Sequence, residues 1–543
     1  MKCESQREER VETSILNGLD LKRMLDSGLA RLTDRYKEVD SLNVFPVPDG
    51  DTGTNMYLTL VGAVNETDTA ADQNSIGDVA AAAARGALMG ARGNSGVILS
   101  QLLRGLAKGL KDMDRVTGKV FAEALDEGVK AAFKAVMKPV EGTILTVARE
   151  AAKEAVRAAG QNSAVINILQ ASCIAAEKTL DLTPELLPVL KEAGVVDAGG
   201  MGWLIILQGF CLAQEGGEIV NANYAVLPAQ KINAAAEGQG SFKYPYCTEA
   251  LVKKNKSNVL GLREKLSKYG DSLMVVETEG YIRVHIHSDH PGEVLEICLK
   301  YGSLKNVKIN NMKEQAAGKT SPKDAKPYGI VAVAPGEGLK EIMESLGADR
   351  IVLGGQTMNP SIRELLQGVE EIDSDTAIIL PNNSNILMTA NQVGSLTPKQ
   401  IKVIPATTVP QGIAALMAYT PGTQIDKITG LMNESLKRVK TGEVTYAVRK
   451  SKYDGQLIKK GSIIGLFDDK IVNVGSNVTE VVLSLLKKMV TPADEVCTLY
   501  YGDMITSLEA KNLMERTAQQ FADMEFELHY GGQPLYYYII SVE

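Results

Sequence analysis

The sequence predicts three domains in one chain: an all-α helical bundle or barrel, a small α+β domain and a larger α/β domain. From Asn55 to about Gly216 the chain is rich in Ala and Leu, poor in β-branched runs and broken by Gly at intervals, as helical bundles are. Between residues 244 and 312, short apolar runs and helical stretches follow the order βαββαβ. Beyond residue 327, short apolar strands alternate with helical segments, the pattern of a largely parallel sheet with helices on its faces. A chain of 543 residues with 45% apolar content also exceeds what one core can organise. The expected divisions are 1–225, a linker at 226–243, 244–312, a second linker at 313–326, and 327–543.

Composition removes several function classes. Net charge is 58 − 66 = −8, aromatics make up 5%, and no long basic block occurs, which argues against nucleic acid as a partner. The first ten residues are too charged for a secretory signal. The longest apolar run, 203–213, is too short and interrupted to serve as an integral membrane segment. Six cysteines are scattered without CxxC spacing, so a disulfide framework is not expected and the chain reads as cytoplasmic.

In chain order, Leu21, Leu25, Leu29, Leu32, Tyr36 and Val39 share one helical face. That helix delivers the chain into Asn43-Val-Phe-Pro-Val-Pro-Asp49-Gly-Asp51-Thr-Gly-Thr-Asn55-Met, where prolines and glycines fix a turn. Asp49 and Asp51, with Thr52, Thr54 and Asn55 just behind, suit Mg²⁺, which takes one or two carboxylates and completes its shell with water and phosphate oxygens. A solvated Asp-Gly-Asp turn is the bland alternative. Apolar Val44, Phe45 and Val47 favour the first by tying the loop to a core.

Next, Gly90-Ala-Arg-Gly93-Asn94-Ser95-Gly96 precedes a helix expected over 97–110. Gly93, Asn94, Ser95 and Gly96 let backbone N–H groups approach an anion, and the helix adds its positive end. Ser95 either caps that helix or donates to a phosphate. Asp197-Ala-Gly199-Gly200 is a tight turn before the single tryptophan.

In the middle domain, the strands expected at 247–252, 272–277, 281–287 and 304–309, with helices at 259–268 and 292–301, form the split-βαβ or ferredoxin-like unit. Ile282, Val284 and Ile286 then face the core, while His285 and His287 lie on the open face. The first and third strands of such a unit are adjacent and antiparallel, bringing Cys247 near His285 and His287. One thiolate and two imidazoles make three Zn²⁺ ligands; an exposed polar pair beside a small edge residue is the alternative. In the C-terminal part, parallel strands are expected at 330–334, 351–353, 377–380 and 403–404, with a second sheet layer from 445–449, 462–466, 470–474, 497–501 and 536–542. The segments 354–361 and 381–385 fall on loops after strands, where α/β sheets bind ligands.

The Asp49–Asp51 loop, the 90–96 turn and Asp197-Ala-Gly-Gly200 together resemble the ATP-binding subunit of the dihydroxyacetone kinases, and more closely its multidomain relative, the ATP-binding component of fatty acid kinase. The resemblance covers essentially the whole chain. It implies ATP and Mg²⁺ as cofactors, with Asp49 and Asp51 on the metal and Asp197, Gly199 and Gly200 closing over the nucleotide. Where dihydroxyacetone kinases carry a third acid upstream, this chain offers Asn43, with Asp40 further back, a weaker third ligand. His285 and His287 would act in transfer, as metal ligands or by contacting the moving phosphoryl group. The partner implied is a separate fatty-acid-binding protein of the DegV type, and the C-terminal domain resembles such a protein. It lacks that group's serine-rich carboxylate loop, which reads as docking or homodimer formation. The implied activity is phosphorylation of a fatty acid carboxylate to an acyl phosphate for phospholipid synthesis. A small hydroxy-ketone kinase and a non-enzymatic lipid or nucleotide sensor are the competing readings. The carboxylate acceptor is favoured because it is already ionised near neutral pH, its pKa being about 4.3 as for Glu, and no strong general base stands out.

Overall fold

The computed structural model describes residues 15–43, 50–136, 138–161, 164–216, 246–254, 262, 265–278, 281–311, 326–355, 358–420, 422–453 and 456–543. Residues 1–222 and 326–543 form one compact unit and 223–325 another.

In the first unit the helical part runs through Gly18–Ser41, Thr52–Thr67, Ile76–Gly90, Gly93–Gly109, Gly118–Ala135, Ile144–Ala159, Val165–Leu186, the short Pro188–Ala193 and Ala198–Gln214. Asn17 opens the first helix with a reciprocal capping box to Asp20. The expected apolar stripe is inside: Leu21, Leu25, Leu29, Leu32 and Val39 are buried. Tyr36, near the rim, stacks on Tyr57 at 5.1 Å. Gly18–Ser41 lies along Ala198–Gln214, and the two helices touch at Gly28 and Gly209, where a Cβ on Gly209 would overlap the Gly28 backbone. Ala80, Ala82, Ala83, Ala84, Ala151 and Ala152 are buried, so the alanine runs do mark close helix contacts. One detail departs from an all-helical reading: Ile15–Leu16 and Val116–Thr117 pair antiparallel. Cys173 and Cys211 are free thiols with Sγ atoms 3.2 Å apart on neighbouring helices.

The α/β part of the same unit has two sheets. One is wholly parallel, in the order Gln400–Val403, Thr376–Leu380, Gly329–Ala334, Arg350–Leu353. Its central strands are buried runs of Ile, Val and Ala, as sheets covered on both faces require. The other is a six-stranded mixed sheet in the order Lys470–Gly475, Ile463–Phe467, Lys440–Tyr446, Tyr538–Val542, Val496–Tyr501, Glu525–Tyr530. Glu525–Tyr530 escapes sequence reading because it is an edge strand of alternating charged and apolar residues. Ile378, Leu380, Tyr500 and Ile539 meet in the core between the sheets. A second core on the other side of the parallel sheet includes Val331, Ile379 and Ile362 and also takes in Ala91 and Val97 of the helical part. The two parts therefore share a core.

The middle unit is a four-stranded antiparallel sheet in the order Gly270–Thr278, Tyr281–Ser288, Tyr246–Lys254, Gly302–Asn311. Pro291–Leu299 is its described full helix. Ile282, Val284 and Ile286 are buried with Leu262, Leu266 and Val294, as their alternation predicts. Most of the helix expected at 259–268, and nearly all of both linkers, lie outside the described residues.

Candidate functional site

The Thr52–Thr67 helix starts at Asp51 in an unusual way. An Asp at this position ordinarily turns its carboxylate onto the free N–H groups of its own helix. Asp51 makes no such bond. Asp40, at the end of the preceding helix, takes over that task. Its carboxylate accepts from the Thr54 N–H at 3.0 Å and the Thr54 hydroxyl at 2.7 Å. Burial raises the Asp40 carboxyl above the ordinary range, and the bonds from Thr54 and Gly53 lower it in turn. Asp51 is released to face elsewhere, in a buried position where it accepts from the Asn359 side-chain amide. Asn43 lies on the same turn. Its side-chain oxygen accepts from the Thr52 hydroxyl at 2.8 Å, and its carbonyl accepts from Arg449. Asp49, Val44, Phe45 and Val47 lie outside the described residues.

Asn55 joins this turn to the glycine turn. Its N–H donates to the Asp51 carbonyl at 2.7 Å. Its side chain packs against Gly93, where an added Cβ would come within 2.5 Å of the Asn55 Nδ2. Gly93 has φ +55°, a left-handed conformation that suits glycine. The helix begins at this residue, not at Val97, and Arg92 at its cap makes no side-chain cap bond. Ser95 therefore sits inside the first turn, and the capping role open to it in sequence is not the one it has. Gly96 donates to the Arg92 carbonyl at 3.1 Å. The N–H groups of Gly93, Asn94 and Ser95 precede that first intrahelical bond and form a cluster of donors at the positive end of a long helix.

A second wall of this site comes from the α/β part and is not legible in the sequence. Asn359 reaches Asp51. Arg92 donates to the Asn359 carbonyl at 2.8 Å and pairs with Glu364 at 3.0 Å. Asn94 donates to Asn385 at 3.2 Å. Asn359 and Asn385 both belong to loops that sequence marks as ligand-binding, but nothing in their local pattern says that they face another domain.

Asp197 proves to be a tie between helices. Its carboxylate accepts from Gly200 N–H at 2.7 Å, capping Ala198–Gln214, and from the N–H of Ile144, the first residue of the Ile144–Ala159 helix. Gly199 and Gly200 are buried against Ile144, Val147 and Leu180. Gly202, one turn on, packs on Met56 beside Asn55. Burial lifts the Asp197 carboxyl from 3.8 to about 6, against the two N–H bonds that lower it. A raised carboxyl favours the folded state in its protonated form. That contribution is complete below the unfolded value and is lost as pH rises through about 6. Asp197→Asn keeps an acceptor for both helices and removes the charge. Its thermal stability relative to the parent should rise between pH 4 and pH 7 and then level off, by about 1–2 kcal/mol after allowance for partial solvent access. A difference that is flat with pH would show that the carboxyl titrates normally.

In the middle unit, the strand register sets Cys247 opposite His287 and Glu249 opposite His285. The side chains of Cys247, His285 and His287 lie outside the described residues, so the zinc reading gains nothing beyond this register. Among the described residues, no cluster of three or more His, Cys, Asp or Glu side chains could hold a metal ion.

Three family models cover most of the chain: a DAK2 domain over 46–212, a FakA-like middle domain of fatty acid kinase over 243–319, and a FakA-like C-terminal domain of fatty acid kinase over 329–543. Protein YloV of Bacillus subtilis (strain 168) is 43% identical over 551 aligned residues, spanning 97% of this chain and 99% of that protein. The chain belongs to the FakA-like family of fatty acid kinase proteins. The uncharacterized protein SAR1202 of Staphylococcus aureus (strain MRSA252) is 41% identical, spanning 98% of this chain and 100% of that one. Among solved structures, the DegV family protein Cg2579 from Corynebacterium glutamicum matches at 13% identity and TM-score 0.29, over 40% of this chain and 96% of that one. The dihydroxyacetone kinase of C. freundii matches at 20% identity and TM-score 0.27, over 36% of this chain and 34% of that one. As a family member, the chain carries kinase-type domains, which imply ATP and a divalent metal. Among its described residues, no helix is long and apolar enough to cross a membrane.

The family's C-terminal domain holds a cavity of about 390 Å³ in this chain, at the carboxyl ends of the parallel strands and against the six-stranded sheet. Its walls include Glu337, Glu443, Asp469 and Asp503, and among the described residues its lining contains no Lys, Arg or His. Burial, helped by neighbouring Asp468, raises the Asp469 carboxyl.

Proposed function

We propose that the chain is an ATP-dependent kinase that phosphorylates the carboxylate of a fatty acid presented by a separate fatty-acid-binding protein, yielding an acyl phosphate for phospholipid synthesis. The observation that carries this reading is Asp51. It is a buried carboxylate relieved of its capping duty and joined through Asn55 to the donors at Gly93, Asn94 and Ser95. Asp51 with Asp49, and Asn43 as a weaker third ligand, would hold Mg²⁺, which supplies charge neutralisation on the nucleotide's phosphates. The turn at Gly93–Gly96 would cradle those phosphates through its backbone N–H groups, with Thr52, Thr54 and Asn55 alongside. Asp197, Gly199 and Gly200 would support the site by fixing the helices behind it. The domain division 1–225, 244–312 and 327–543 is part of the same reading. So are the split-βαβ form of the middle domain and a role in transfer for its Cys247, His285 and His287.

An acyl carboxylate needs no general base, in keeping with a site built of acceptors for a cation and donors for phosphate. The acidic walls of the C-terminal cavity favour a separate lipid carrier: a fatty acid's carboxylate placed there would meet four acids and no base among the described lining residues. The full chain incubated with ATP, Mg²⁺, oleate and a fatty-acid-binding protein should give a hydroxylamine-sensitive product and consume ATP. Omission of oleate or of the binding protein should reduce both to background. Turnover without the binding protein, or phosphorylation of dihydroxyacetone in its place, would replace this reading with the hydroxy-ketone kinase.

A further inference from the structure

The contact between the helical and α/β parts falls on the candidate site itself. We propose that it competes for that site: the Asn359 amide stands where the cation belongs, so that seating of the α/β domain and binding of Mg²⁺-nucleotide exclude one another. This rests on the reading of Asp51 and Gly93 given above.

Position comes first. Asn359 is 1% exposed and donates its side-chain N–H to the Asp51 carboxylate. A Cβ placed on Gly93 would lie 3.3 Å from the same Asn359 nitrogen. That nitrogen therefore sits between the acid that would bind the metal and the turn that would bind phosphate. An amide N–H satisfies a carboxylate through its partial positive charge, as a cation does, but an N–H donor cannot ligate a cation. The two occupants cannot share the place.

The seat is also displaceable. The Asn359 Oδ1 is buried without a hydrogen-bond partner, as is the Oδ1 of Asn94. Buried acceptors are rarely left unmet, and an arrangement that leaves two of them so gives way more readily to a better-matched ligand.

The grip is local. On the helical side every polar partner belongs to the turn at 91–94: Ala91 accepts from the Ile362 N–H at 3.2 Å, Arg92 holds Asn359 and Glu364, and Asn94 holds Asn385. Phosphates arriving at Gly93–Ser95 reach the same turn. Ala91 and Val97 are fully buried in the α/β core, so release uncovers apolar surface as well as polar groups. The loops that carry Asn359 and Asn385 also border the 390 Å³ cavity, which Met358 and Asn385 line. Whatever spreads those loops withdraws the plug.

The test is calorimetric titration of the full chain with Mg²⁺ and a β,γ-imido analogue of ATP, alongside hydrogen exchange at the Ile362 amide. If the seated form leaves the site free about one-tenth of the time, Asn359→Ala should bind about tenfold tighter than the parent. Asn385→Ala, which loosens the same seat away from Asp51, should also tighten binding. In the parent, nucleotide should speed exchange at Ile362, whose N–H is tied to Ala91 in the seated form. Equal or weaker binding by both variants, or slower exchange at Ile362 with nucleotide, would overturn the proposal. Asp51→Asn separates the two levels. If it binds like the parent, the site reading itself fails; if it loses binding while Asn359→Ala shows no gain, only the competition fails.

Discussion

Asp51→Asn is expected to lower kcat/KM for fatty-acid-dependent ATP consumption by about 10³-fold or more, roughly 4 kcal/mol of transition-state stabilisation, with the fold intact. The substitution is isosteric, and its Oδ1 can still accept from Asn359. The helix start does not depend on the lost charge, because Asp40 already receives the Thr54 N–H and hydroxyl. What disappears is the negative charge that a hard cation needs. Thermal unfolding of the variant should stay within a few degrees of the parent while turnover falls to background. A variant that retained activity within tenfold would place the metal elsewhere. A variant that lost activity and stability together would make Asp51 structural.

The paired acids and the glycine turn are legible in the sequence because each is a local pattern with a local meaning. Asp-Gly-Asp among prolines can only be a turn, and glycines before an apolar stretch announce a helix start. The apolar stripe of the first helix is equally local, and Leu21 to Val39 fall where the period puts them. The partners of these elements are not local. Asn359 meets Asp51 across 308 residues of sequence, and its own surroundings, an Asn-Pro-Ser361 turn leading into a capping box with Glu364, explain it fully without Asp51. Arg449 on the Asn43 carbonyl is the same case.

Other misses come from one interaction displacing another that sequence favours. Ser95 fits a cap, but Gly93 reaches the left-handed conformation and starts the helix earlier. Asp197 reads as a turn residue, but its carboxylate also serves a second helix, which leaves Thr143 at that helix's own start without a cap bond. In both, a side chain whose role looks settled locally is reassigned by a neighbour brought in by packing. Asp51 follows the same rule, and its reassignment is what makes it a candidate for chemistry.

Gly93→Ala should be nearly as severe as Asp51→Asn, by a different route. At φ +55° an L side chain is strained by about 1–2 kcal/mol. Its Cβ would also lie 2.5 Å from the Asn55 Nδ2 and 3.3 Å from that of Asn359. Asn55 cannot withdraw easily: it is 3% exposed, and its carbonyl accepts from the Thr59 hydroxyl at 2.7 Å. The combined destabilisation should be about 2–4 kcal/mol, in the range of other overpacked buried sites. Relief by rotation of the turn would swing the Gly93, Asn94 and Ser95 N–H groups out of line with one another, and anion binding depends on their convergence. Mg²⁺-nucleotide affinity should therefore fall at least about 100-fold, beyond anything the stability loss accounts for, since a protein still mostly folded binds almost at full strength. Unfolding and titration on the same sample separate the two effects. If the variant loses stability as expected and still binds nucleotide with parental affinity, the turn is only a packing device, and the phosphate cradle has to be sought elsewhere.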